Sequence, residues 1–145
     1  MRALLHPGAN LGIAEALHCP HMSTPVDTTC TTVLFDGSCP MCRREISAYQ
    51  KLSSRTPIDW VDVSQADAIL PAGVSKQQAL ARLHVQTAEG QWVHGARAFV
   101  ALWRQLPGWR HLARLAHVPG MLTLMEWMYR QFLRVRPWIQ WRLRA

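Results

Sequence analysis

Val33-Leu34-Phe35-Asp36-Gly37-Ser38-Cys39-Pro40-Met41-Cys42-Arg43-Arg44-Glu45-Ile46 is the stretch that decides how the rest of the chain is read. The run Thr31–Phe35 is β-branched and aromatic, and Gly37 and Pro40 punctuate it before a helical period begins. That pattern predicts a buried strand handing over to a helix, with both cysteines at the handover. The first turn of a helix points unpaired N–H groups and the positive end of its dipole at whatever sits there, so a thiolate is stabilised. From Cys42 the apolar positions recur at Ile46, Tyr49 and Leu52, while Arg43, Arg44, Ser47, Gln50 and Lys51 fall elsewhere, which places Cys42 on the packed face. Cys39 falls at or before the helix start, near the N-cap, where the chain is usually more exposed, with Pro40 suited to the first helical position because its missing N–H would be unpaired anyway. The expectation is an accessible attacking thiol, Cys39, and a sheltered resolving thiol, Cys42.

Residues one helical turn apart rise only about 4.5 Å along the axis, so a C-x-x-C pair can close a disulfide within the ~4.4–6.8 Å Cα window. The same spacing also suits zinc, and Cys19, Cys30, His18 and His21 lie upstream to complete four ligands. No cysteine follows Cys42. An ordered strand would hold Cys30 roughly 16 Å from the motif end, beyond a shared metal or disulfide, so Cys30 is read as an isolated thiol.

The 145 residues, 49% hydrophobic and 17% charged, suit one globular domain that can bury a core without staples. Residues 1–32 carry Pro7, Gly8, Asn10, Gly12, Pro20 and Pro25, and residues 1–30 read as a loose arm. After Arg2 the apolar run stops at His6-Pro7, short of a secretory signal, so a cytoplasmic location is expected; Met22 is a second plausible start.

Beyond the first helix, residues 58–63 read as a strand and residues 75–80 as a short helix capped by Ser75. Leu83 and Val85 alternate with polar residues, Ala88-Glu89-Gly90 turns with Gly in the left-handed position, and residues 91–94 return, which makes an antiparallel hairpin. His84 and His94 fall on its two strands, where polar residues facing each other on an open sheet face need no function. Ala96, Phe99, Val100, Trp103 and Leu106 follow at helical spacing and stop at Pro107-Gly108.

The fold class is therefore α/β of the α+β kind. A β-α-β-α-β-β-α core over residues 31–108 has the element order of a thioredoxin-like fold, followed by a helical extension, residues 109–145, packed on it. Met121, Leu124, Met125, Met128, Phe132 and Val135 form one stripe of the extension and are read as core packing.

Charge is uneven. Residues 97–145 hold nine Arg and the single acid Glu126, net +8, whereas residues 1–96 hold seven basic and eight acidic residues, net −1, in agreement with the overall +7. Arg130, Arg134, Arg136, Arg142 and Arg144 with Trp138 and Trp141 suit either a solvated face or peripheral contact with an anionic membrane. No nucleic-acid motif is present, and no apolar run reaches the ~18–20 residues of a membrane span. Removing residues 138–145 is expected to leave the thiol chemistry intact.

Asp36-Gly37-x-Cys39-x-x-Cys42 after an apolar strand, with Gly90, Gly95-Ala96-x-Ala98, Pro107-Gly108, Pro119-Gly120 and Tyr129, resembles the DCC family of thiol-disulfide oxidoreductases over residues 32–136. The resemblance implies a thioredoxin-like fold and dithiol redox chemistry, with Asp36, Cys39 and Cys42 as the matching positions. Thioredoxins in general hold substrate with a cis-proline just before the third core strand. Leu80-Ala81-Arg82-Leu83 has no proline there, so a partner strand must be held differently.

The resulting expectation is a thiol-disulfide oxidoreductase with catalytic residues Cys39, Cys42 and Asp36. It needs no bound cofactor and acts on a protein or small-molecule disulfide or dithiol. Asp36 has two readings, a turn residue that accepts from nearby N–H groups or a proton acceptor for Cys42. The alternatives to the enzyme are a zinc module and a basic-faced binding module without redox turnover.

Overall fold

The computed structural model describes residues 30–144. The arm expected over 1–30 lies outside them except for Cys30, as do Cys19, His18, His21 and both candidate start residues. Strands β1 (Thr31–Phe35), β2 (Ile58–Asp62), β3 (His84–Gln86) and β4 (Trp92–His94) alternate with helices α1 (Pro40–Gln50), α2 (Lys76–Ala81) and α3 (Ala96–Gln105), and α4 (Trp109–Leu115) and α5 (Met121–Arg144) complete the chain. The expected β-α-β-α-β-β-α order is the observed one.

The sheet runs β2-β1-β3-β4, with β1 parallel to β2 and antiparallel to β3, and β3 antiparallel to β4. β1 is central and covered on both faces, which is why its sequence is continuously apolar rather than alternating. Val33 and Phe35 pack with Ile46 and Tyr49 of α1 and Ala98 and Leu102 of α3. Leu34 points the other way, onto Val63 and Ala79 of α2. Helix α1, with both cysteines at its head, thus rises from the end of the best-packed of the described strands.

Local chemistry sets most boundaries. Ser75 caps α2 in a reciprocal box with Gln78. Gly90 takes φ 78° in the hairpin turn, as its position requires. His84 pairs with His94 in register, their ring centroids 5.6 Å apart. At α3, Gly95 supplies no side-chain cap, and Glu126 of α5 accepts the Ala96 N–H at 3.0 Å instead, while also pairing with Arg82 and Arg130. A carboxylate at a helix start is favoured by the dipole, so the lone acid of the basic segment ties α5 to the core.

Two expectations need correction. The stripe read as core packing is not deeply packed: no described residue of α5 is buried, and Leu124, Met128 and Val135 stay about half exposed, at 47%, 51% and 49%. The helical period was right, but a single helix lying across a finished core can bury only one side of so wide a stripe. Cys30 is disulfide-bonded rather than an isolated thiol, and Cys39 and Cys42 are both free. The strand does separate Cys30 from the motif, but that separation excluded only the two motif cysteines as partners. No helix among the described residues is long and apolar enough to cross a membrane.

Candidate redox site

β1 ends at Phe35, and Asp36 begins the turn that delivers Cys39 to the head of α1. The Asp36 carboxylate accepts from Ser38 N–H at 2.9 Å and Ser38 Oγ at 2.6 Å, the local turn its sequence suggests. Asp62, at the end of β2, steadies the same loop from the side by accepting the Gly37 N–H at 2.8 Å. Cys39 is the N-cap of α1, and its sulfur accepts the Cys42 N–H at 3.4 Å. A cysteine therefore does the work usually given to Ser, Thr or Asp, and a thiolate does it better than a thiol.

α5 closes the site from the far end of the chain. Arg136 forms an ion pair with Asp36 and donates to the Leu80 carbonyl at 3.2 Å, with the side chains of Arg136 and Asp36 only 11% and 10% exposed. A hydrogen bond from Gln140 and the charge of Arg136 both favour the Cys39 thiolate. About two turns before Arg136, Tyr129 accepts the Leu83 N–H at 3.1 Å. The backbone on both sides of Arg82, where thioredoxins in general hold substrate beside a cis-proline, is here occupied by α5; no cis peptide occurs among the described residues.

This arrangement reverses the expected exposure. Cys39 presents no surface to water, whereas Cys42 is half-buried and lines an apolar groove of about 750 Å³ with Met41, Phe99, Trp103, Met128 and Phe132. An N-cap is usually open, but this one lies beneath a second helix.

Protonation keeps the expected order. Burial alone would raise the Cys39 thiol, but hydrogen bonds from the Cys42 side chain and N–H and from Gln140, with the charge of Arg136, outweigh it and leave Cys39 below the usual cysteine value. Burial pushes Cys42 up to about 12, assisted by its hydrogen bond to Cys39 and the charges of Cys39 and Asp36, against the opposing pull of Arg136. Of the pair, Cys39 is therefore the sulfur that ionises first.

The structure brings together Asp36, Cys39 and Cys42. It also removes Arg136 from the lipid-facing set, since its side chain is only 11% exposed and paired with Asp36, and it brings Gln140 to bear on Cys39, an influence that removal of residues 138–145 would delete. Both had a signal in the sequence: Tyr129, Phe132, Arg136 and Gln140 follow at spacings of three, four and four, so the apolar stripe continues through an arginine, and a cation on a packed face calls for a buried anion. Among the described residues no three His, Cys, Asp or Glu side chains converge as metal ligands.

None of the curated proteins matches the chain, and no solved structure matches it either. Residues 33–142, from the first buried strand through the helix that closes over the thiols, match the DCC1-like thiol-disulfide oxidoreductase family. The chain belongs to that family.

Proposed function

We propose that the chain exchanges thiols and disulfides through the Cys39–Cys42 couple, with Asp36 as the third residue of the site and residues 109–145 as a helical cover on the 31–108 core. The observation that carries this reading is the pair of free, adjacent cysteines at the head of α1, the Cys42 N–H donated to the Cys39 sulfur, in surroundings that draw the Cys39 thiol down and push the Cys42 thiol up. The Cys39 thiolate attacks one sulfur of a substrate disulfide, the S–S bond breaks, and one substrate thiolate leaves. Cys42 then loses its proton and attacks the Cys39 sulfur, which releases the second substrate thiolate and leaves Cys39–Cys42 oxidised and the substrate reduced by two electrons. Asp36, close enough for its charge to act on Cys42, takes that proton and passes it to the departing substrate thiolate, so that it is again a carboxylate beside Arg136 once the disulfide has formed. The reverse sequence oxidises a dithiol. Protein and small-molecule substrates both fit this chemistry, and no bound cofactor takes part.

Exposure would favour Cys42 as the attacking group, but a thiol at about 12 supplies almost no thiolate at neutral pH. Attack from Cys39 requires the Gln140 end of α5 to give way. Pro137, which interrupts the helix's hydrogen bonding one turn before Gln140, marks where it yields. Cys42→Ser is expected to retain substrate as a mixed disulfide on Cys39, visible as a reducible mass adduct, and Cys39→Ser is expected to retain none. Trapping by Cys39→Ser alone would transfer the attack to Cys42, and trapping by neither would remove the redox reading.

A second contact is supported by the outer face of α5, where Trp127, Trp138 and Trp141 are 58%, 60% and 66% exposed beside Arg130, Arg134 and Arg142. Amphipathic aromatic rings interleaved with cations suit an anionic lipid surface. The protein is expected to cosediment with vesicles containing phosphatidylserine but not with purely phosphatidylcholine vesicles, and less so as salt rises. Equal behaviour toward both vesicles would make the face a solvated one.

A further inference from the structure

We propose that Arg136 is the counter-cation of the Cys39 thiolate, held for that role by Asp36 and the Leu80 carbonyl, so that a residue near the end of the chain sets the redox poise of the motif near its start. This rests on the redox reading above and adds a residue to it.

Three observations locate the guanidinium. It pairs with Asp36 on the loop after β1, donates to Leu80 O at the end of α2, and lines the same pocket as Cys42, whose N–H is donated to the Cys39 sulfur. A latch between α5 and the core would account for the first two and has no use for a place beside the thiols. The Arg136 Nε, buried, has no hydrogen-bond partner, a cost that a purely structural latch would be expected to avoid. The side chain is nearly nine-tenths buried, so its charge is poorly screened and acts strongly on whatever forms beside it.

The groups that share this pocket leave little else to supply the positive charge. Facing the thiols are Asp36 from the loop, Cys42 and Glu45 from α1, Arg82 at the end of α2, and Tyr129 and Arg136 from α5, with Gln140 as a neutral donor. Tyr129 stays neutral because burial raises it. Arg82 is engaged by Glu126, which leaves Arg136, paired with Asp36 beside the motif, as the cation of this pocket that acts on the thiols.

The charge balance explains why Asp36 belongs to the motif. In the dithiol state the guanidinium serves two anions, the Asp36 carboxylate and the Cys39 thiolate. Once the disulfide forms the thiolate charge is gone, and Asp36 alone keeps the buried cation neutralised. Arg136 therefore favours the reduced, thiolate-bearing state and makes the couple more oxidising, while Asp36 competes for the same cation and moderates it. Arg136 is a positioning residue that acts on the sulfur through its charge, and Asp36 tunes that charge.

Opposite signs follow for the two side chains. Asp36→Asn is expected to lower the Cys39 pKa, read from the pH dependence of its alkylation. Adding Arg136→Met on the Asp36→Asn background, where no buried anion is left unpaired, is expected to raise it by about one pH unit or more relative to Asp36→Asn alone. The equilibrium with glutathione should shift at least tenfold toward the protein disulfide between the same two variants, which is about 30 mV more negative for a two-electron couple. Arg136→Lys, which keeps the charge, should stay closer to the parent than the Met variant. An Asp36→Asn/Arg136→Met protein with the thiol pKa and potential of Asp36→Asn would overturn the inference and leave the pair as a latch; so would an Asp36→Asn shift in the upward direction. If the parent protein itself failed to equilibrate with glutathione, the redox reading would fall instead, so the two failures are distinguishable.

Discussion

Gly37→Ala is expected to destabilise the protein by about 3 kcal/mol and to loosen the loop that carries Cys39, although the substitution adds a single methyl group. A Cβ built on Gly37 would lie 2.0 Å from the Asp62 Oδ2 and 2.4 Å from its Cγ, far inside contact distance. Asp62 cannot swing away cheaply, because it accepts from Gly37 N–H, Ser64 N–H, Ser64 Oγ and Gln65 Nε2 at 2.6–3.1 Å. Overpacking typically costs about 1–3 kcal/mol, and each hydrogen bond lost with the displaced carboxylate adds roughly 0.5–1.5 kcal/mol. The effect should depend on pH. Burial alone would raise Asp62, but the hydrogen bonds from Ser64, Gln65 and Gly37 prevail and hold it below the usual carboxylate range. A depressed acid contributes stability that is present above its unfolded pKa and lost as pH falls through its folded one, so the penalty measured at pH 7 should shrink below about pH 4. Urea unfolding of the two reduced proteins at pH 7 and at the acid end tests both parts. A difference under 0.5 kcal/mol at pH 7, against the roughly 3 expected from the cited costs, would mean that the loop accommodates a side chain and that Asp62 does not steady it.

Gly37 was legible in the sequence only as punctuation, and the contrast shows where sequence reasoning reaches its limit here. The bounds of β1, the cap on α2 and the glycine in the hairpin turn follow from chemistry within a few residues, and they were readable. So was the placement of both cysteines at a helix start. The exposure of Cys39 was not, because an N-cap is open only until another element covers it, and the covering residues Arg136 and Gln140 lie about a hundred positions away. The stripe on α5 had the right period, but period does not say how much of a face finds a partner. The arginine that broke that stripe was the one local sign of a long-range pair, and grouping it with its basic neighbours concealed it.

The stability of that pair provides the other large effect. Arg136→Met should cost about 3–5 kcal/mol, since it leaves the Asp36 carboxylate buried without its cation, and breaking one side of a buried pair is far costlier than replacing both. Asp36→Asn should cost less, because the asparagine oxygen still accepts from Ser38 and Arg136 retains the Leu80 carbonyl. The double variant should be more stable than Arg136→Met alone, with a coupling of about 2 kcal/mol, well beyond the ~0.5 kcal/mol scatter of independent sites. Against a total of about 5–15 kcal/mol for a domain, the Arg136→Met loss is large enough to lower the melting temperature by several degrees or more. Thermal and urea unfolding of the four proteins in reductant provides the cycle. Reductant matters because forming Cys39–Cys42 removes the second anion that Arg136 serves, so the oxidised proteins should show a stronger dependence on Asp36 than the reduced ones. Additive single costs in both redox states would mean that α5 is held over the thiols by Glu126 and Tyr129 alone, and that Asp36 and Arg136 touch without depending on each other.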